Sequence, residues 1–317
     1  MFDLRTRQLI GNVVKNPLLV AWRMLRLADE DLDRERKSHL LNAVLALPDR
    51  VAAHYQVELD HILKSRFADG FEPTFPYPPV RPFLRSADVE QGMEDGLPYL
   101  VHDGKRLFFP ANWKALSGIS PLDAYVNYIC TEGLLGTGCL SCSPHCYQTP
   151  DHHPETQDVL LDIGCAEALY ALEWVDKVRK VCLFEGEKAW RRPLQKTFAP
   201  YGERAVLIDK LVGPETKRGM VRLQDAVQEP DAASFFIKMD IEGAERFVIS
   251  SASEFLRKSK VKLSVCCYHR QDDAEVLGDM LEKLGYRISF SAGYMVPGMN
   301  GVHFPYFRKA MIYGRNY

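Results

Sequence analysis

The chain has 317 residues, enough for one large domain or two ordinary ones with a sizeable core. Its 40 basic and 42 acidic residues leave a formal charge of -2, so nothing electrostatic favours nucleic acid, and small or neutral partners are expected. Eight cysteines at irregular spacing, two of them (Cys182 and Cys266) inside predicted strands, suit reduced buried thiols and a cytoplasmic location better than a disulfide framework.

Residues 1–70 read as a helical region. Leu9, Ile10, Val13 and Val14 share one face, Leu18, Trp22 and Leu25 form the next stripe after Pro17, and Leu40, Leu41, Val44 and Leu45 a third. Pro48 fits the first turn of a helix carrying Val51, Tyr55, Leu59, Ile62 and Leu63. The run Leu18–Trp22 is too short for a membrane span or a signal-peptide core. The basic stripe Arg5, Arg7, Lys15, Arg23 and Arg26 leaves peripheral contact with a membrane or partner, or a homo-oligomer, as alternatives to a solvated face.

Residues 71–98 form a linker, with Pro73, Pro76, Pro78, Pro79 and Pro82 set among aromatics. A PxxP docking peptide is the alternative. From 99 a second domain is expected to run to 317. Tyr99-Leu100-Val101 and Arg106 to Phe109 flank Asp103-Gly104, a hairpin signature, and a helix follows around Pro121 to Thr131. Cys139, Cys142 and Cys146 have a spacing that can hold zinc, with His152 and His153 nearby, but no second knuckle accompanies them.

After Pro154, strands and helices alternate. Strands are expected at Asp158–Ile163, Lys180–Phe184, Arg204–Ile208, Phe235–Met239, Val261–Cys266, Arg287–Phe290 and Phe307–Tyr313. Helices are expected over Cys165–Asp176 after a turn, Lys188–Phe198, Gly243 to about Lys258, and Asp272–Leu284. This is an α/β, doubly wound, mostly parallel sheet whose last strand, after a long loop, suits antiparallel insertion.

Ligands bind at the carboxyl ends of strands in such sheets, which is where Asp240 and Glu242 fall. Glu245, one turn further on, suits the helix N-terminus through the macrodipole. Gly164, in the turn Asp162-Ile163-Gly164-Cys165-Ala166-Glu167-Ala168, lets backbone pass under a ligand, and Glu185 ends the next strand where an acid can accept from two ribose hydroxyls. The turn lacks the three glycines a pyrophosphate wants. Asp162 would repel phosphates and attract a cation, which favours S-adenosylmethionine over a dinucleotide.

The residues from about Tyr99 onward resemble the FkbM-type S-adenosylmethionine-dependent methyltransferases. The most specific stretch is Ile237-Lys238-Met239-Asp240-Ile241-Glu242-Gly243-Ala244-Glu245. Similar too are Asp162-x-Gly164, Phe184-Glu185 with Trp190, Ser143-Pro144-His145 with Tyr147, Cys267-Tyr268-His269-Arg270 before Asp272-Asp273, and Pro305-Tyr306-Phe307-Arg308. The resemblance implies a class I, Rossmann-like methyltransferase fold and O-methylation of a sugar, glycan or small natural product. It implies cofactor contacts at Asp162, Gly164, Cys165, Ala166, Glu185, Gly186, Asp209 and Asp240. Ala168 stands where the family's loop closes on glycine, and its methyl is expected to crowd the cofactor.

Methylating a hydroxyl requires a proton acceptor and in-line positioning. His269 is the expected base, with Asp240 or Glu242 orienting it or holding the acceptor, and His145, Tyr147 and Asp272 touching the substrate or forming a lid. A divalent ion held by Asp240, His269 and Asp272 or Asp273 is the alternative to a metal-free site. A nicotinamide-dependent oxidoreductase and a silent binding module are the competing functions.

Overall fold

The computed structural model describes residues 42–65, 86–126, 144–229, 232–296 and 303–317. The chain divides into two compact units. One comprises Met1–Pro73 with Phe304–Tyr306, the other Thr74–His303 with Phe307–Tyr317. In the first, α1 (Asp49–Ala52) follows Pro48, a 3-10 turn covers Ala53–Tyr55, and α2 (Gln56–Ser65) continues the expected helix. Of the earlier helical stripes only Val44 and Leu45 are described, on a helical turn over 42–45 with Val44 buried; the rest, the proline run and Cys139 and Cys142 lie outside the described residues.

The second unit begins with an antiparallel meander of β1 (Gln91–Glu94), β2 (Leu97–His102) and β3 (Lys105–Phe108). The expected Asp103-Gly104 turn joins β2 to β3, both residues at positive φ (47° and 78°). Asp95-Gly96 makes a second such turn, which the hydrophobic pattern around it does not announce. Two short helices follow, α3 (Trp113–Ser117) and α4 (Pro121–Ala124), the latter capped by Ser120, whose Oγ accepts from the Asp123 N–H at 3.0 Å.

The main sheet is built from β4 (Asp158–Ile163), α5 (Leu169–Trp174), β5 (Lys180–Phe184), α6 (Lys188–Phe198) and β6 (Ala205–Ile208). A small pair, β7 (Leu211–Val212) and β8 (Met220–Val221), and α7 (Leu223–Ala226) lead back to the centre. There follow β9 (Ser234–Met239), α8 (Glu245–Ser251), α9 (Ser253–Lys258), β10 (Val261–Cys266), α10 (Asp273–Lys283), β11 (Arg287–Phe290) and β12 (Met311–Arg315). Strand order is β11-β12-β10-β9-β4-β5-β6, and β12 runs antiparallel to both neighbours while the other pairs are parallel. This is the class I, Rossmann-like α/β architecture.

Every residue of β4, β9 and β10 is buried, as expected for strands covered on both faces. Alternation sends Leu160, Leu183 and Phe236 to one apolar cluster with Tyr170 and Tyr313, and Leu161, Ile237 and Leu263 to the other with Val248 and Leu277. Two expectations need correction. The helix after Gly243 is broken at Ala252 (φ -94°, ψ 10°), where Ser251 turns its hydroxyl back to the Val248 carbonyl at 3.2 Å. The last strand starts at Met311 rather than Phe307 because Arg308 is drawn away to bond Met295, Tyr268 and His269.

Candidate active site

The order of strands reverses between β4 and β9, and the carboxyl ends of these two and β10 form the edge at which ligands bind in such sheets. At the end of β4 the chain turns through Gly164 at φ 74°, where a Cβ would collide with the Asp240 carbonyl oxygen. No residue but glycine fits there. Ala166 and Ala168 also take positive φ, 46° and 60°. The Ala168 side chain lies in the core beside Leu169 and Tyr170 at 1% exposure, so a left-handed alanine closes the turn with its methyl buried. Cys165 is buried as well, leaving its backbone as the part that faces the turn.

Asp162 sits under this turn at 1% side-chain exposure, and Lys238 of β9 brings its ammonium to 3.1 Å from Asp162 Oδ1 while donating to the Gly164 carbonyl at 2.7 Å. The lysine that interrupts the apolar run of β9 is therefore the buried counter-ion of the turn. Burial raises the Asp162 carboxyl and Lys238 pulls it back, leaving it above its ordinary value. Glu185, at the end of β5, accepts from the Ala166 N–H at 3.0 Å and the Glu187 N–H at 2.7 Å, and burial lifts its carboxyl. Glu167 is lifted by burial to about 7. Gly186 is obligatory because a Cβ would meet Leu211, and Asp209, about half exposed, pairs with Arg191 at 3.3 Å.

Asp240 gathers the other groups. Its Oδ2 accepts from the Tyr147 hydroxyl at 2.7 Å and lies 3.7 Å from His145 Nε2, and its Oδ1 lies 3.4 Å from His269 Nε2. Burial pushes the Asp240 carboxyl up, but Lys238, His145 and His269 outweigh it and the net displacement is downward, so Asp240 is anionic at neutral pH. His145 is buried at 1% and pushed down to about 4 by that burial. His269 goes the other way: burial opposes its charge, yet Glu245, 3.0 Å from Nδ1, together with Asp240 and Glu242 raises it to about 9. The same Glu245 Oε1 accepts from the Ile241 N–H at 3.0 Å. Glu245, expected from its position to serve the helix dipole, is a fully buried tie between the loop and the histidine.

Glu242, at φ 54°, is 89% exposed and its carboxylate lies 3.8 Å from His269 Nε2. Asp272 faces Arg246 at 2.6 Å, and Asp273 bonds Arg246 and the Arg270 N–H, so both acids serve the α8–α10 contact. Arg308 fastens the His269 loop from behind by donating to the Tyr268 and His269 carbonyls at 2.6 and 3.1 Å. The roles of Lys238, Glu245 and Arg308 cannot be read from their spacing, since only the sheet register and the loop packing bring them to the site. The five described cysteines are unbridged and buried, and His152 gives its ring nitrogen to the Leu263 carbonyl at 3.0 Å. A cavity of about 830 Å³ between Thr149–His152 and strands β11 and β12 is lined by none of the expected site residues.

No family model matches the chain, and no curated protein matches it. Similar solved structures include methyltransferase FkbM from Methylobacillus flagellatus KT, 23% identical with a TM-score of 0.39 over 51% of this chain and 44% of that one. Others are the precorrin-6y C5,15-methyltransferase of Geobacter metallireducens GS-15 (14%, TM-score 0.34, 51% and 80%) and a Streptococcus mutans protein in complex with SAH (10%, TM-score 0.35, 51% and 89%). The chain thus spans less than half the length of the first of these. Among the described residues no helix is long and apolar enough to cross a membrane.

Proposed function

We propose that the chain is an S-adenosylmethionine-dependent methyltransferase of FkbM type, acting on a hydroxyl of a saccharide or small molecule, with its catalytic domain over residues 99–317. The observation that carries this reading is the meeting of Asp240, Tyr147, His145 and His269 beside the glycine turn at the switch point of the sheet. The donor set fits the cofactor. Glu185 spends two of a carboxylate's roughly four lone pairs on backbone amides and keeps the rest for ribose hydroxyls. The carboxylates of Asp162, Glu185 and Asp240 outnumber the cations Lys238 and His269, a balance that suits a cationic nucleoside and opposes a diphosphate.

S-adenosylmethionine, when bound, supplies an electrophilic methyl group. The chain's own part is to place the acceptor oxygen and receive its proton. Asp240, anionic and anchored by Tyr147, accepts a hydrogen bond from the acceptor hydroxyl and so orients it. His269, raised to about 9, is an imidazolium at neutral pH and takes the proton only once it has lost its own. Methyl transfer to a panel of sugars and alcohols, followed with labelled cofactor, should show kcat/KM rising with pH to an inflection near 9 that His269→Ala removes. A pH-independent rate, or full activity in His269→Ala, overturns the assignment of His269.

A further inference from the structure

Beside Asp240 and His145 lie a thiol and a thioether, Cys266 and Met311, to which the proposed methyl transfer gives no part. His145 Nε2 is 3.3 Å from Cys266 Sγ and 3.7 Å from Asp240 Oδ2, and Cys266 Sγ is 3.5 Å from Met311 Sδ. The three ligand atoms of His145, Asp240 and Cys266 all lie within 4.8 Å of one another. Cys266 and Met311 are 0% exposed and His145 1%; the buried charges that act on this imidazole and thiol are the carboxylates of Asp240 and Glu245, the Lys238 ammonium and His269.

The geometry points to a binding site for a zinc-class divalent ion formed by His145 Nε2, Cys266 Sγ and Asp240 Oδ2. Zinc bonds of about 2.0–2.3 Å in a tetrahedron set neighbouring donor atoms roughly 3.3–3.8 Å apart. The 3.3 and 3.7 Å separations from His145 Nε2 have that span before any side chain moves. Nitrogen, sulfur and oxygen donors together match a borderline-soft ion and are a poor set for magnesium or calcium. Met311 stands beside the thiol as a second soft atom, and Tyr147, donating to Asp240 at 2.7 Å, fixes the carboxylate as an outer partner does in zinc sites. Asp240 is the one ligand with an exposed surface, 17%, which gives the ion a way in from the crevice. Binding replaces the thiol proton by the metal: the S–H bond breaks, a sulfur–metal bond forms, and one proton is released to solvent.

Two other arrangements are weaker. In the Asp240, Glu245 and His269 group, Glu245 is already taken by the Ile241 N–H and His269 by two acids. His102, Asp103 and Glu173 present a ring whose nitrogens bond Tyr125 at 2.6 Å and Glu173 at 2.7 Å.

The test uses the full chain, stripped with a chelator and titrated with Co²⁺. One equivalent should bind with a near-ultraviolet sulfur-to-cobalt charge-transfer band. Cys266→Ser should abolish the band, and Cys266→Ser and His145→Gln should each weaken binding at least ~10-fold, whereas Cys142→Ser should leave the band in place. No binding at millimolar Co²⁺, a band that survives Cys266→Ser, or one lost in Cys142→Ser overturns the site. Cadmium-113 NMR of the unmutated chain tests the same ligand set without a variant. A shift for one thiolate among nitrogen and oxygen donors supports it; a shift for two or three thiolates assigns the metal to the Cys139, Cys142 and Cys146 segment and refutes it. Neither readout depends on methyl transfer.

Discussion

Lys238→Met tests the electrostatics of the turn. The lysine and Asp162 have side-chain exposures of 6% and 1% and lie 3.1 Å apart, so methionine of similar length would leave a buried carboxylate with no compensating charge. Breaking a buried ion pair from one side costs about 3–5 kcal/mol. In a domain of this size each kcal/mol lowers Tm by about 2–4 °C, so a fall of roughly 6–20 °C is expected. The deficit should depend on pH. Asp162 already sits above its ordinary 3.8 and loss of Lys238 raises it further, so stability relative to wild type falls as pH rises from the wild-type carboxyl's raised value to the variant's still higher one, by at most ~1.4 kcal/mol per pH unit. Calorimetric melts at several pH values for Lys238→Met, Asp162→Asn and the double variant would measure the coupling. The double variant, with two neutral side chains of nearly native shape, should recover more than half of the loss. A Tm drop under about 2 °C in Lys238→Met, or strict additivity of the two substitutions, would refute the claim that Lys238 neutralises Asp162.

Other expectations concern neighbouring groups. His269 is raised from 6.5 to about 9, so its protonation adds stability that is complete below pH 6.5 and is lost as pH rises towards 9. His269→Gln should remove about 3 kcal/mol at pH 6 and little above pH 9, with the ring's titration followed by NMR; a titration near 6.5 would contradict this. Ala168→Gly relieves about 1 kcal/mol of left-handed strain and gives up roughly 0.8 kcal/mol of buried methyl, so melting should hardly change. Cofactor affinity should shift less than ~3-fold, because the methyl packs in the core; a larger gain would mean that it does crowd the ligand.

Strands are legible in the sequence where burial on both faces leaves a continuous apolar run. Asp158–Ile163, Lys180–Phe184 and Val261–Cys266 have the expected bounds for that reason, and Arg287–Phe290, a largely exposed edge strand, has its expected bounds without such burial. The strand Gln91–Glu94 is not, because Met93 is its one large apolar residue and is itself exposed. The break at Ala252 has no glycine or proline to announce it. Within the site, the approach of Asp240 and His269 follows from two parallel neighbours ending together, which strand order alone suggests. The contact of His145 with Cys266 joins residues 121 positions apart, and the turn of Asp272 towards Arg246 depends on how α8 meets α10. Neither is a matter of spacing along the chain.

The most direct measurement is calorimetric titration of the full chain with S-adenosylhomocysteine, beside NAD and the Glu185→Ala variant. Binding of S-adenosylhomocysteine but not NAD, weakened at least ~10-fold in Glu185→Ala, about 1.4 kcal/mol, is the predicted result. Binding of NAD alone, or an affinity for S-adenosylhomocysteine unchanged by the loss of Glu185, would contradict it.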